Sequence, residues 1–170
     1  MTVESGENQA ERRVRIETIC LRLLARREHS KRQLLDKLAM RGFERDEVAA
    51  VIDDLSRQSW QDDARYAECY IRDRIAKGYG PIRIAYELQQ RGIVGADLDV
   101  QAESRGGWLN LSLEVYAGKF GDEKSLTPRE WAKRSRFLQQ RGFAGDTIKQ
   151  VFAELKIKLS RVDADSGFAN

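Results

Sequence analysis

Six residues, Leu88-Gln89-Gln90-Arg91-Gly92-Ile93, return almost unchanged as Leu138-Gln139-Gln140-Arg141-Gly142-Phe143, and a looser copy, Leu38-Ala39-Met40-Arg41-Gly42-Phe43, precedes both. The glycines stand at 42, 92 and 142, a constant step of 50 residues. Such a step marks a tandem array of one supersecondary unit. Each copy closes an amphipathic run with arginine, then glycine, then a large apolar residue. That order suits a helix end: arginine complements the negative terminus, glycine takes the left-handed conformation and the apolar side chain packs back on the last turn. The spacing therefore predicts an all-α chain, an elongated right-handed or curved array of three tandem three-helix repeats. The expected repeats cover residues 12–57, 58–106 and 107–159, between a disordered arm at 1–11 and a flexible tail at 160–170.

Composition agrees with helix. The chain has only two prolines and no Val/Ile/Thr-rich alternating run long enough for a sheet. With 30 Lys plus Arg against 27 Asp plus Glu, the net charge of +3 alone predicts no partner. No apolar stretch approaches the roughly 20 residues of a membrane span, and Thr2 to Arg15 lacks the pattern of a secretory signal. Cytoplasmic location is the expectation. Cys20 and Cys69 form no C-x-x-C pair and read as buried, reduced thiols.

Along the chain, Ile16, Ile19, Cys20, Leu23 and Leu24 give one apolar stripe. Ser30-Lys31-Arg32-Gln33 forms a capping box before a helix that buries Leu34, Leu35 and Leu38. A third, acidic helix turns Val48, Val51, Ile52 and Leu55 inward, with Glu44, Asp46, Glu47, Asp53 and Asp54 outside. In the middle repeat Asp62 or Asp63 caps the first helix, Gly78-Tyr79-Gly80-Pro81 turns the chain, and Ile84, Ala85 and Leu88 follow Leu34, Leu35 and Leu38 by 50 residues. Its third helix is thin, because Gln101, Ala102 and Arg105 replace Val51, Ile52 and Leu55. Gly106-Gly107 reads as a flexible joint. Thr127-Pro128-Arg129-Glu130 is another capping box with proline at the first helical position. Arg134 and Ser135 occupy places held by apolar residues in the other copies, so Arg134 must snorkel or meet an acid such as Glu114.

Little here speaks for catalysis. His29 is the only histidine and reads as a residue complementing a helix end or lying in a loop. Asp62-Asp63 reads as a cap pair, not a calcium loop, and no Gly-Lys-Ser/Thr follows Gly78 and Gly80 to complete a phosphate cradle. The expectation is no enzyme, no cofactor, no metal and no small-molecule substrate. Charge is the informative chemistry. Lys31, Arg32, Lys37 and Arg41, then Arg83 and Arg91, then Arg129, Lys133, Arg136 and Arg141 fall on or end the second helices. In a stacked array equivalent helices line up, giving a basic stripe facing an acidic one. Arg72 and Tyr79 join these as binding candidates, Tyr79 as the more exposed aromatic, while Trp60 and Trp108 read as packing between repeats. A basic stripe beside acidic patches suits a nucleoprotein target.

Asp63-Ala64-Arg65-Tyr66-Ala67, Gly78-Tyr79-Gly80-Pro81-Ile82-Arg83-Ile84 before Glu87-Leu88, and Arg91-Gly92-Ile93 together resemble the RecX family, over nearly the whole chain from about Arg13 to Leu159. The resemblance marks Asp63, Arg65, Tyr66, Gly78, Gly80, Pro81, Leu88 and Gly92 as structural motif positions. It implies a non-enzymatic regulator of the bacterial RecA recombinase, active in DNA repair, recombination and the SOS response. Such proteins bind along the RecA filament on single-stranded DNA and reduce its ATP hydrolysis, strand exchange and coprotease activity. DNA would be reached mainly through the filament, with weak direct binding besides. The competing reading is a direct DNA-binding protein of helix-turn-helix type.

Overall fold

A computed structural model describes residues 4–160, with side chains from Gln9 onward. Its elements are α1 (Glu4–Leu24), α2 (Lys31–Ala39), α3 (Arg45–Arg57), α4 (Asp63–Ala76), α5 (Pro81–Gln89), α6 (Leu98–Glu103), α7 (Gly107–Phe120), β1 (Ser125–Leu126), α8 (Pro128–Arg141), α9 (Gly145–Glu154) and β2 (Lys158–Leu159). Each repeat thus supplies three helices, and the second of each ends at the repeated hexamer. Those ends are built alike: Phe43, Ile93 and Phe143 donate their amides to Leu38, Leu88 and Leu138, while Gly42, Gly92 and Gly142 donate to Ala39, Gln89 and Gln139. This paired closure requires a left-handed residue, and the three glycines sit at φ +84°, +79° and +94°.

The chain divides into two compact units, Met1–Ile71 with Glu87–Ala96, and Arg72–Tyr86 with Asp97–Asn170. The division does not follow the repeats; the middle one contributes to both. The physical reason is the thin third helix foreseen there. Helix α6 has six residues and buries only Ala102 fully, whereas α3 has thirteen and buries Val48, Val51, Ile52 and Leu55. A repeat without a full apolar face cannot enclose a core of its own. In the first unit Ile16, Cys20, Leu34, Leu38, Val48, Val51, Ile52 and Leu55 form one buried cluster. In the second, Tyr116 meets Phe120 and Phe152 at ring-centroid distances of 5.2 and 5.8 Å, and Trp131 meets Phe152 at 4.2 Å.

Several expectations need correction. The arm foreseen at 1–11 is helical from Glu4; no proline interrupts the run, so a helix anchored by Ile16 and Cys20 propagates outward. Of the expected tail, residues 161–170 lie outside the described residues. Its first member is held, since Ser160 donates its amide to Leu126 at 2.8 Å, and β1 pairs in parallel with β2. Two-residue strands leave no alternation for a sequence reading to detect. The Ser30 box is complete, but at Thr127 only half exists: the hydroxyl accepts from the Glu130 amide. The Glu130 carboxylate instead faces Lys133 and Arg134 at 3.4 and 3.6 Å.

Candidate binding surface

In the first unit a polar joint holds the start of α4 against the start of α2. Gln61 is 1% exposed. Its amide nitrogen donates to the His29 carbonyl at 3.2 Å and to Asp63 Oδ1 at 2.8 Å, and its Oε1 accepts from the Ser56 hydroxyl at 2.8 Å. Asp63 Oδ1 also accepts from the Lys31 amide at 2.9 Å, capping α2, while Asp62 accepts from the amides of Ala64 and Arg65 and caps α4. Arg65 Nε donates to Glu28 at 2.5 Å, an ion pair that raises the guanidinium pKa. Tyr66 is buried and stacks on Tyr70 at 5.9 Å; burial pushes its phenol up, with Arg91 opposing. These contacts tie the end of the first repeat to the start of the second. His29 lies in the loop after α1 and is buried; its Nδ1 is 3.0 Å from the Arg27 carbonyl, and burial lowers its pKa. Gln61 carried no sequence signal, because buried glutamine in a loop has no periodicity.

The candidate basic side chains of this unit differ in their freedom. Lys31 pairs with Asp53 at 3.2 Å and Arg32 with Asp36 at 3.9 Å. Lys37 and Arg41 are exposed. Arg91 is half-buried, donating to the Glu87 carbonyl at 2.6 Å and lying 4.5 Å from the Tyr70 ring centroid. The acidic face foreseen on α3 is partly consumed, since Glu47 meets Arg12 and Asp54 meets Arg13 and Arg57.

In the second unit the turn after α4 brings three guanidinium groups onto one ring. Arg74, Arg83 and Arg141 lie 5.0, 4.5 and 5.0 Å from the Tyr79 centroid. Backbone docking makes this possible. Gly80 donates to the Arg141 carbonyl at 2.7 Å and Ile82 to Gly142 at 3.1 Å. A Cβ at Gly80 would stand 2.5 Å from the Gly142 oxygen, so only glycine lets the two turns approach. Arg141 then reaches the Lys77 carbonyl at 2.7 Å and Arg83 the Gln140 carbonyl at 3.2 Å. Cation–π contact orients the planar forks, and such forks recognise paired anionic oxygens.

Tyr79 is consequently half-buried under arginine rather than the exposed aromatic expected. Of Tyr79, Trp60 and Trp108 it is Trp60 that is exposed, at 58%, and Trp108 donates its indole N–H to Asp99 at 2.7 Å. Arg74, overlooked in the sequence, could have been found five residues before Tyr79, in the last turn of α4. Elsewhere in this unit Arg72, Arg129, Lys133 and Arg136 are exposed, Arg136 donating to the Ala132 carbonyl at 3.3 Å. Buried Arg134 meets Glu123, not the foreseen Glu114, because Glu123 lies in the connection beside β1. It also donates to the Tyr116 hydroxyl at 2.9 Å. Burial works against the charged form of Arg134, and the bonds to Tyr116 and Glu123 outweigh it, raising the pKa.

Neither cysteine is in a disulfide among the described residues; Cys20 is buried and Cys69 half-buried, and burial pushes the Cys20 thiol up to about 11. Among the described residues no group of three or more His, Cys, Asp or Glu is placed to hold a metal ion, and no helix is long and apolar enough to cross a membrane.

Helix triplets closed by one recurring cap define a protein of the tandem three-helix-repeat class. Its repeats match three family models, described as the first, second and third three-helix domains of RecX, at residues 18–55, 62–99 and 111–152. The chain is 43% identical over 134 residues to the regulatory protein RecX of Acidithiobacillus ferrooxidans, covering 78% of this chain and 85% of that one. It is 41% identical over 138 residues to the regulatory protein RecX of Legionella pneumophila, covering 80% and 91%. The chain belongs to the RecX family of regulatory proteins. In fold it is similar to the crystal structure of RecX from Lactobacillus salivarius, with a TM-score of 0.68 at 20% identity over 86% of this chain and 97% of that one. A second RecX crystal structure gives 0.73 at 20% identity, over 86% and 76%.

Proposed function

We propose that this protein is a cytoplasmic modulator of the RecA recombinase, acting in DNA repair, recombination and the SOS response. It binds along the RecA filament on single-stranded DNA and lowers ATP hydrolysis, strand exchange and coprotease activity by occupancy, without a reaction of its own. The observation that carries this reading is recurrence: three helix triplets of one family, each with cations on or at the end of its second helix, at a 50-residue step. Weakly attaching modules linked at fixed spacing gain most from a target that is itself periodic. Lys31, Arg32, Lys37 and Arg41, the cluster of Arg83, Arg141 and Tyr79, and Arg72, Arg91, Arg129, Lys133 and Arg136 are the proposed contacts. Guanidinium and ammonium groups there serve phosphates and acidic side chains of RecA alike.

Fluorescence anisotropy with labelled oligo(dT), alone and coated with RecA and a slowly hydrolysed ATP analogue, and with bare labelled duplexes of differing sequence, tests it, alongside pull-down with free RecA. Tight binding to the coated strand is expected, with weak, salt-sensitive binding to bare DNA and weak binding to RecA monomers. Tighter, sequence-selective binding to bare duplex would replace this reading with the helix-turn-helix one.

A further inference from the structure

Among the described residues, three arginines in the first unit are left without an ion-pair partner. Ile19, Arg22, Leu23, Arg26 and Arg41 line a groove of about 190 Å³ where the end of α1 meets the turn after α2. Arg22, Arg26 and Arg41 are exposed, and among the described residues none of them forms an ion pair. Five carboxylates of the unit are engaged elsewhere: Asp36 with Arg32 and Arg45, Glu47 with Arg12, Asp53 with Lys31, Asp54 with Arg13 and Arg57, and Glu28 with Arg65. Internal pairing thus passes over these three guanidinium groups, which one groove brings together. The floor under that charge is apolar, supplied by half-buried Ile19 and Leu23, and Met40, next to Arg41 in the chain, is 88% exposed.

We infer that this groove docks an acidic segment of a partner protein that inserts one large apolar side chain between the three guanidinium groups. Charge complementarity selects the acids, and the floor selects the anchor. Nucleic acid fits less well, because none of the five lining residues is aromatic and a phosphate backbone has no use for the Ile19 and Leu23 floor. Arg41 is shared with the surface proposed above, but the test uses no filament, so either idea can fail alone.

The probe is a fluorescein-labelled acidic peptide, glutamates flanking a central Phe-Leu pair, titrated with the full-length protein. Arg22→Glu with Arg26→Glu should weaken binding by about tenfold or more. Lys119→Glu with Lys149→Glu, an equal change of net charge in the other unit, should leave it unchanged. Replacing Phe-Leu in the peptide by Ser-Ser should also cost about tenfold. Circular dichroism verifies folding, and Arg22→Gln with Arg26→Gln repeats the test without charge reversal. Equal loss in the lysine control, indifference to the Ser-Ser change, or oligo(dT) displacing the peptide and binding more tightly than it would each overturn the proposal.

Discussion

Glycines with the same hydrogen bonds and the same backbone angles do not carry the same energetic burden. A methyl group at Gly42 would meet nothing within 4 Å, at Gly92 it would approach the Arg32 Cβ to 3.2 Å, and at Gly142 it would strike the Arg83 amide nitrogen and Cβ at 2.5 Å. Gly42→Ala should therefore cost only the left-handed strain, about 1 to 2 kcal/mol. Gly142→Ala adds forced movement of backbone, for about 3 kcal/mol or more in total. Gly92→Ala falls between, and Gly92→Val costs more than Gly92→Ala. Urea unfolding midpoints measure the order, and equal midpoints for the alanine variants would contradict it. The repeat made these three positions legible as caps; it could not reveal that one of them is also the floor of a docking contact. His29 shows the same limit, because burial does not print itself on a lone residue. Its lowered pKa means that the unfolded chain takes up a proton before the folded one does. Stability is thus whole above the ordinary histidine pKa of about 6.5 and declines as pH falls through it. Wild type should lose more stability than His29→Gln between about pH 7.5 and about pH 5.5; parallel curves would refute the assignment.

Among elements, α8 is the copy that broke its pattern. Leu34 and Ile84 are fully buried, and the residue 50 places further on is Arg134, 5% exposed. Its departure was visible in the sequence, but its partner was not, since Glu123 is brought in by a connection with no periodicity. A buried ion pair is often no better than a well-packed apolar residue, whereas truncating it leaves both a cavity and stranded partners. Arg134→Leu should stay within about 1 kcal/mol of wild type or exceed it, while Arg134→Ala should lose about 3 kcal/mol. Thermal and urea unfolding decide between these; a large loss with leucine would make the Glu123 contact essential to the fold. The helices themselves were legible because their apolar faces, caps and stops coincide in the repeats. The β1–β2 pair and the division through the middle repeat depend on contacts between distant segments, which local pattern does not encode.

For the molecule as a whole, attachment through several repeats predicts graded rather than complete loss when one helix is altered. Lys31→Gln with Arg32→Gln and Lys37→Glu removes the cations of α2 and avoids setting a new carboxylate beside Asp53 or Asp36, the present partners of Lys31 and Arg32. Filament affinity should drop several-fold with helix content unchanged, and the salt dependence should flatten. Unaltered affinity would remove α2 from the interface. The most direct trial of the central claim is steady-state ATP hydrolysis by RecA on single-stranded DNA, titrated with this protein. Hydrolysis should fall as the protein approaches stoichiometry with the filament, and less steeply for the α2 variant. An unchanged rate at stoichiometric excess would contradict the account.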